Sequence, residues 1–197
     1  EKKYQNDVNC EKLKNLFNQY GSDKTRTSLV YVYFEIFNNF KINSIFEIGL
    51  GTNNINFRSN MGLNGKPGAS LRAFRDYLDT KIYGADVDKS ILFEEEQIQT
   101  FFIDQLNIDT IQNIKSKIPK VDLIIDDGLH QPDANLNVII NLLEHLNSNG
   151  FLVIEDIEDS FVDIFQIIEK IFNRNNKFKS SIVKVKERYC LLIQNVE

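Results

Sequence analysis

From residue 44 onward, short apolar runs alternate with stretches of helical periodicity. Ser44–Ile48, Lys81–Asp86, Gln99–Ile103, Val121–Asp126 and Phe151–Glu155 read as strands. Between them, Gly68-Ala69-Ser70-Leu71 opens a helix to about Leu78, with Ser70 placed to cap it. Ile108–Ile118 is helical and closed by Pro119, Asp133–Leu146 is helical with Asn149-Gly150 as its stop, and Ser160–Phe172 is a further helix. Lys179–Val185 and Tyr189–Ile193 read as two strands across the charged turn Lys186-Glu187-Arg188. Upstream, Glu11–Tyr20 and Ser28–Phe40 carry helical periodicity, with a polar turn from Tyr20 to Thr25 between them.

Strands separated by amphipathic helices imply right-handed crossovers and a mostly parallel sheet. The final two strands have no helix between them, so the last must run antiparallel. The expected fold is therefore α/β: a Rossmann-like, mostly parallel seven-stranded sheet flanked by helices, with a reversed last strand and N-terminal helices. One domain is expected over 1–197, made of a helical segment (1–43) and a core (44–197).

Composition narrows the function classes. A chain of 197 residues buries roughly 70% of its extended surface. Its net charge of −5 speaks against a nucleic-acid or anionic-membrane partner. Lys115, Lys117 and Lys120 read as a solvated helix end. Cys10 and Cys190 belong to no metal or redox motif. No apolar run approaches the ~18 residues of a membrane span, and Glu1–Asp7 has no apolar core of a signal peptide. A cytoplasmic protein is expected.

The chemistry gathers at strand ends, where open parallel sheets bind their ligands. Val121-Asp122-Leu123-Ile124-Ile125-Asp126-Asp127-Gly128-Leu129-His130 ends one strand in two carboxylates, a glycine and one of only two histidines. Phe151-Leu152-Val153-Ile154-Glu155-Asp156 ends another in two acids. Converged, Asp127, Glu155 and Asp156 are hard oxygen ligands for a divalent metal, and His130 is a general base beside them. Adjacent Asp126 and Asp127 repel, so Asp126 is expected to brace the site while Asp127 points into it. Glu47-Ile48-Gly49-Leu50-Gly51-Thr52 supplies a glycine turn after the first strand, although Asn54 stands where a dinucleotide fingerprint has its third glycine. Asp86 can accept both ribose hydroxyls, and Asp88 suits a helix cap. Asp104 and Gln105 can bond an exocyclic amine. His145 reads as structural, and Gly62, Gly65 and Pro67 mark a loop over the cofactor end. Leu13, Leu16, Phe17, Val30, Tyr33, Phe34 and Phe37 form an apolar helical face that could pair two copies into a homodimer.

Taken in order, several short motifs resemble the class I S-adenosylmethionine-dependent methyltransferases. They are Gly21-Ser22-Asp23-Lys24, Phe46-Glu47-Ile48-Gly49, Gly68-Ala69-Ser70-Leu71-Arg72, Tyr83-Gly84-Ala85-Asp86-Val87-Asp88, Asp104-Gln105, Ile125–His130 and Ile154-Glu155-Asp156. More narrowly they resemble the metal-dependent sugar O-methyltransferases of macrolide biosynthesis, the mycinamicin type, and related capsule-cluster enzymes. The resemblance implies S-adenosyl-L-methionine as cofactor, with Glu47, Gly49, Gly51, Ser70, Asp86, Asp104, Gln105 and Asp126 around it. It implies Mg2+ held by Asp127, Glu155 and Asp156, and His130 as the base. Leu129 stands where the family often has Ser. The implied acceptor is a small molecule, a sugar or sugar derivative of a polysaccharide or secondary metabolite. The macrolide enzymes carry a large N-terminal domain, whereas residues 1–43 alone precede the first strand here, so the acceptor itself does not carry over. The residues alone also admit an NAD-dependent oxidoreductase, or a metal-dependent hydrolase built on the acid cluster.

Overall fold

Buried strands with apolar side chains on both faces need cover on both sides, and the chain supplies it from two directions. The computed structural model describes residues 2–4, 6–174 and 176–197. Glu1 and Gln5, part of the stretch read as lacking a signal segment, lie outside the described residues. The strands are β1 (Ser44–Ile48), β2 (Lys81–Asp86), β3 (Glu94–Glu95), β4 (Ile98–Phe102), β5 (Val121–Asp126), β6 (Leu146–Ile157), β7 (Phe178–Val185) and β8 (Arg188–Asn195). They form one sheet in the order β3-β4-β2-β1-β5-β6-β8-β7. β1, β2, β4, β5 and β6 are mutually parallel, and β8 runs antiparallel to both β6 and β7. The eighth strand, beyond the expected seven, is the edge pair β3, antiparallel to β4.

The chain steps outward from β1 through β2 to β4, then returns to the other side of β1 for β5 and β6. The crevice between the ends of β1 and β5 is thus the topological switch point, where such sheets bind ligands.

The alternation along β5 shows how the two cores divide. Leu123 and Ile125 join the core beneath the N-terminal helices, while Ile124 faces the opposite core. The first core takes α1 (Val8–Tyr20), α2 (Leu29–Asn39) and α3 (Ala69–Leu78). The second takes α4 (Ile108–Lys117), α5 (Pro132–Leu142) and α6 (Val162–Phe172). The face offered for self-association is consumed here: Leu13, Phe17, Val30, Tyr33 and Phe34 are buried, and Leu16 and Phe37 pack against the same core. Phe74 of α3 makes edge-on ring contacts with Phe17 at 5.3 Å and Tyr33 at 5.1 Å. That burial removes the basis for a dimer through these helices.

Two boundaries differ from the sequence reading. Ser70 does not cap α3. Gly68 precedes the helix in the left-handed region (φ 75°), and Ser70 lies inside the first turn with its hydroxyl turned to Glu47. The helix expected to reach Leu146 stops at Leu142, passes through the tight turn Leu143–His145, and pairs with β5 from Leu146. Asn149-Gly150 is not a helix stop but slack within β6: the register against β5 slips there, and Asn149 takes φ 61°. His145 closes the turn, buried, with Nε2 3.2 Å from the Ile118 carbonyl oxygen. Among the described residues no helix is long and apolar enough to cross a membrane.

Candidate active site at the switch point

The glycine turn after β1 is held by its neighbours. Gly49 N–H donates to the Ala85 carbonyl (2.8 Å) and Asp127 N–H to the Ile48 carbonyl (2.9 Å), lacing the ends of β1, β2 and β5 together. Gly49 takes φ 98°, and a Cβ there would collide with the Asp127 carbonyl oxygen. Asp86, at the end of β2, accepts the Leu50 N–H (2.7 Å) on one oxygen and the Asp88 N–H (2.8 Å) on the other. Each oxygen keeps a second lone pair, so the carboxylate is oriented without being used up. Burial pushes its pKa up. Asp88 caps the next turn as expected, accepting from Ser90 N–H and from the Thr52 hydroxyl. The Ser90 hydroxyl, with Thr52, holds Asp88 below the usual carboxylate range.

A cleft opens above this turn. Gly49, Gly51, Asp86, Val87, Ile103, Asp104, Gln105, Asp127 and Leu129 line it. Five of the eight expected cofactor residues, Gly49, Gly51, Asp86, Asp104 and Gln105, are therefore on its wall. Gln105 is already engaged: its Nε2 donates to Asp126 Oδ1 (2.7 Å) and its Oε1 accepts the Leu129 N–H (2.7 Å). Asp126 is not on the wall. It is fully buried, accepts from Gln105, Asn135 Nδ2 (2.8 Å) and Gly128 N–H, and has its pKa raised by burial. It braces the β5 turn, as one of its two sequence readings had it. Glu47 is also behind the wall, fully buried, with the Ser70 hydroxyl on Oε2 at 2.8 Å.

A second, more polar cleft adjoins the first. Asp127, His130 and Asp156 line it with Lys24, Ser70, Met61 and Lys66, and it shares Gly49, Gly51, Ser59 and Asp127 with its neighbour. The loop between β1 and α3 borders both clefts, through Phe57 and Ser59 on one side and Asn60, Met61 and Lys66 on the other. That loop was expected over the cofactor end alone.

The acids do not gather as the single set Asp127, Glu155 and Asp156. They form two overlapping groups: Asp127 with His130 and Asp156 toward the cleft, and Asp127 with Glu47 and Glu155 toward the interior. A bulge in β6 produces the split. Ile154 pairs with Leu191 and Ile157 with Tyr189, so Glu155 and Asp156 together oppose Cys190 alone. Asp156 takes φ 53°, and the kink turns it to the cleft while Glu155 stays buried. His130 also lies in the left-handed region (φ 55°). Its Nε2 is 3.8 Å from Asp127 Oδ1, and its Nδ1 is buried without a hydrogen-bond partner.

At the centre of the inner group sits a residue that the sequence reading left in a polar turn. Lys24 is 1% exposed. Its ammonium donates to both oxygens of Glu155 (2.7 and 2.8 Å) and to Asp127 Oδ2 (2.9 Å). It also lies 3.2 Å from Glu47 Oε1, a charge contact without hydrogen-bond alignment. Burial alone would lower the lysine's pKa, but Asp127, Glu155 and Glu47 together raise it well above the usual value. Tyr33 of α2 donates its hydroxyl to Glu155 Oε1. Burial, then the charge of Asp127, pushes both Glu155 and Asp156 up, Glu155 the further.

No family model matches the chain. Parts of two curated proteins align with it. The 8-demethyl-8-alpha-L-rhamnosyl tetracenomycin-C 2'-O-methyltransferase of Streptomyces olivaceus is 29% identical over 100 residues, 50% of this chain and 26% of that protein. Demethylmacrocin O-methyltransferase of Streptomyces fradiae is 30% identical over 91 residues, 46% of this chain and 23% of that protein. The aligned segments thus span about a quarter of those relatives' lengths. Among solved structures, the MycE methyltransferase of the mycinamycin pathway, in complex with Mg, SAH and mycinamycin VI, superposes with a TM-score of 0.70. That match is 20% identical and covers 93% of this chain and 54% of that one. The chain has the class I methyltransferase fold. TomG, an O-methyltransferase of Streptomyces achromogenes solved with SAM, shares this fold at 11% identity with a TM-score of 0.59, covering 98% of this chain and 92% of that one.

Onto this methyltransferase fold the chain adds residues that sequence reasoning missed: Lys24, Tyr33 and Asn135 around the acids, and Phe57, Ser59 and Met61 from the loop. Lys24 had a signal, as the last residue of Gly21-Ser22-Asp23-Lys24, the loop residues had one in the glycines beside them, and Tyr33 was visible only as part of an apolar face. Nothing local marks a lysine in a polar turn as buried.

Proposed function

We propose that this chain carries an S-adenosylmethionine-dependent O-methyltransferase activity, assisted by magnesium. The acceptor is a hydroxyl of a sugar, on a glycosylated secondary metabolite or a similar polar small molecule. One observation carries the reading: two clefts share the wall Gly49, Gly51, Ser59 and Asp127, one partly apolar with an oriented Asp86, the other polar with Asp127, Asp156 and a histidine together. Group transfer between two small molecules needs such adjoining sites. The partial relatives, named as methyltransferases of a rhamnosyl tetracenomycin and of demethylmacrocin, support a glycoside acceptor. They favour secondary metabolites over capsular polysaccharide.

The residues fit both groups. In the first cleft, Asp86 keeps lone pairs for ribose hydroxyls, and Val87, Ile103 and Leu129 offer apolar walls. Behind the second, Glu47, Asp127 and Glu155 share the ammonium of Lys24, and Asp127 also reaches the cleft beside Asp156, a pair of hard oxygen donors that suits a divalent cation. Asp127 and Asp156 would hold it at the cleft. S-adenosylmethionine supplies an electrophilic methyl group, and magnesium lowers the pKa of a bound hydroxyl. His130, which lines the same cleft, would take the proton of the acceptor hydroxyl. Asp127, 3.8 Å from Nε2, stabilises the imidazolium that results. Being half-buried, His130 can then pass the proton to solvent.

The test uses purified chain, labelled S-adenosylmethionine, Mg2+ and a panel of rhamnosyl and macrolide glycosides, with calorimetric titration of S-adenosylhomocysteine and NAD alongside. His130→Ala is expected to cut turnover by about 10²–10⁴-fold, the usual yield of general base catalysis, and to keep S-adenosylhomocysteine affinity. Binding of NAD in preference to S-adenosylhomocysteine would refute the reading.

A further inference from the structure

The N-terminal helical segment does more than cover the sheet. Lys24 from the turn after α1 and Tyr33 from α2 both reach the end of β6, more than a hundred residues away in sequence. Asp127 has two carboxylate oxygens with different partners. Oδ2 accepts from Lys24 at 2.9 Å, and Oδ1 faces His130. A carboxylate anchored at one oxygen has its other oxygen aimed. Both oxygens of Glu155 are engaged by the same ammonium, and Tyr33 adds a bond to one of them.

We infer that Lys24 is a positioning residue of this site: by holding Asp127 Oδ2 and Glu155, it fixes the direction in which Asp127 Oδ1 faces the cleft beside Asp156 and His130. The inference rests on the metal-assisted reading above. Two effects of a neutral replacement oppose each other. Removing a positive charge beside Asp127 would by itself favour a cation in the cleft. Losing the anchor would free Asp127 to rotate and scatter the ligand set. The inference holds that orientation outweighs charge, and the sign of the change in metal affinity decides it.

The experiment titrates Mn2+ into the full chain, followed by electron paramagnetic resonance, for wild type, Lys24→Met and Lys24→Arg. S-adenosylhomocysteine affinity and melting temperature are measured on the same samples. Lys24→Met is expected to loosen Mn2+ by about 10–100-fold, the usual loss when a group orienting a metal ligand is removed. S-adenosylhomocysteine affinity should stay within about threefold, because Lys24 does not line its cleft. Lys24→Arg, which keeps a cation with donors for both Asp127 and Glu155, should recover most of the loss. Should Lys24→Met fail to fold, Lys24→Gln keeps one donor to the acids and takes its place. Unchanged or tighter Mn2+ binding in the neutral variant overturns the inference. So does a parallel loss of Mn2+ and S-adenosylhomocysteine affinity, which marks a merely structural lysine. A wild type that binds S-adenosylhomocysteine but no Mn2+ overturns it too and leaves methyl transfer standing. A wild type that binds Mn2+ but no S-adenosylhomocysteine removes the methyl-transfer reading and leaves the Lys24 comparison to be decided on Mn2+.

Discussion

Gly49 and Gly62 both occupy the left-handed region, at φ 98° and 71°, but only one has a neighbour in the way. An alanine at Gly49 would drive its Cβ into the Asp127 backbone, whereas at Gly62 nothing lies within 4 Å. Gly62→Ala therefore carries the conformational cost alone, roughly 1–2 kcal/mol for an L-residue in that region. Gly49→Ala adds an overlap that a moving backbone must relieve, about 1–3 kcal/mol further, for a total of about 2–5 kcal/mol. In a chain of this size 1 kcal/mol shifts Tm by about 2–4 °C. The expected losses are thus roughly 2–8 °C for Gly62→Ala and 4–20 °C for Gly49→Ala. The paired difference is the quantity to read, by calorimetry on both variants in one buffer. Relief of the clash displaces the β5 turn that carries Asp127, and Gly49 borders both clefts. S-adenosylhomocysteine affinity should therefore fall in Gly49→Ala and survive in Gly62→Ala. Equal melting temperatures and equal affinities would refute the claim that the close approach of the β1 and β5 turns builds the site.

Asp86→Asn replaces one acceptor oxygen with an amide donor facing the Leu50 or Asp88 N–H, and is expected to weaken S-adenosylhomocysteine binding by about 1–3 kcal/mol, the scale of bonds to a charged group. Unchanged affinity by calorimetry would remove Asp86 from the ribose role. His145 has its pKa lowered by burial, so the unfolded chain binds more protons between the folded pKa and the ordinary value near 6.5. Its contribution to stability is full above that ordinary value and is lost as pH falls through it toward the folded pKa. The raised carboxylates work in the opposite direction, so the informative measurement is wild type minus His145→Gln. That difference in Tm should shrink from pH 7.5 to pH 5.5, and a flat difference would sink the assignment.

The strands most legible in the sequence were those buried on both faces. β1, β2 and β5 begin and end on the expected residues because continuous apolar runs bounded by charge leave little choice. Legibility failed where pairing depends on backbone alone. Glu94-Glu95 has no strand composition, yet its backbone finds the free edge of β4. Leu146 pairs with Val121 ahead of the Asn149-Gly150 slack, where local turn chemistry argues for a helix end. The apolar face of the N-terminal helices was visible, but its destination was not, since the same periodicity serves an interface or a core.

The two acid doublets show why the site was half legible. Asp126-Asp127 and Glu155-Asp156 each announce charge at a strand end, and the sequence points to the right corner of the fold. In each doublet the first residue is buried and the second reaches the cleft. Asp126 still stands in the β5 ladder, opposite Ile48 and Ile154, and its buried charge is matched by Gln105, Asn135 and Gly128. Glu155 is matched by Lys24 and Tyr33. A buried carboxylate needs such partners to remain in place, and they come from elements far along the chain. Alternation along a strand says that one acid of each pair must turn inward. It does not say which groups will receive it, and those groups decide which way the outward acid is aimed. Lys24 is the case in point: its role follows from the convergence of β1, β5 and β6 on one turn, and the motif Gly21-Ser22-Asp23-Lys24 marks the residue without naming the acids it meets.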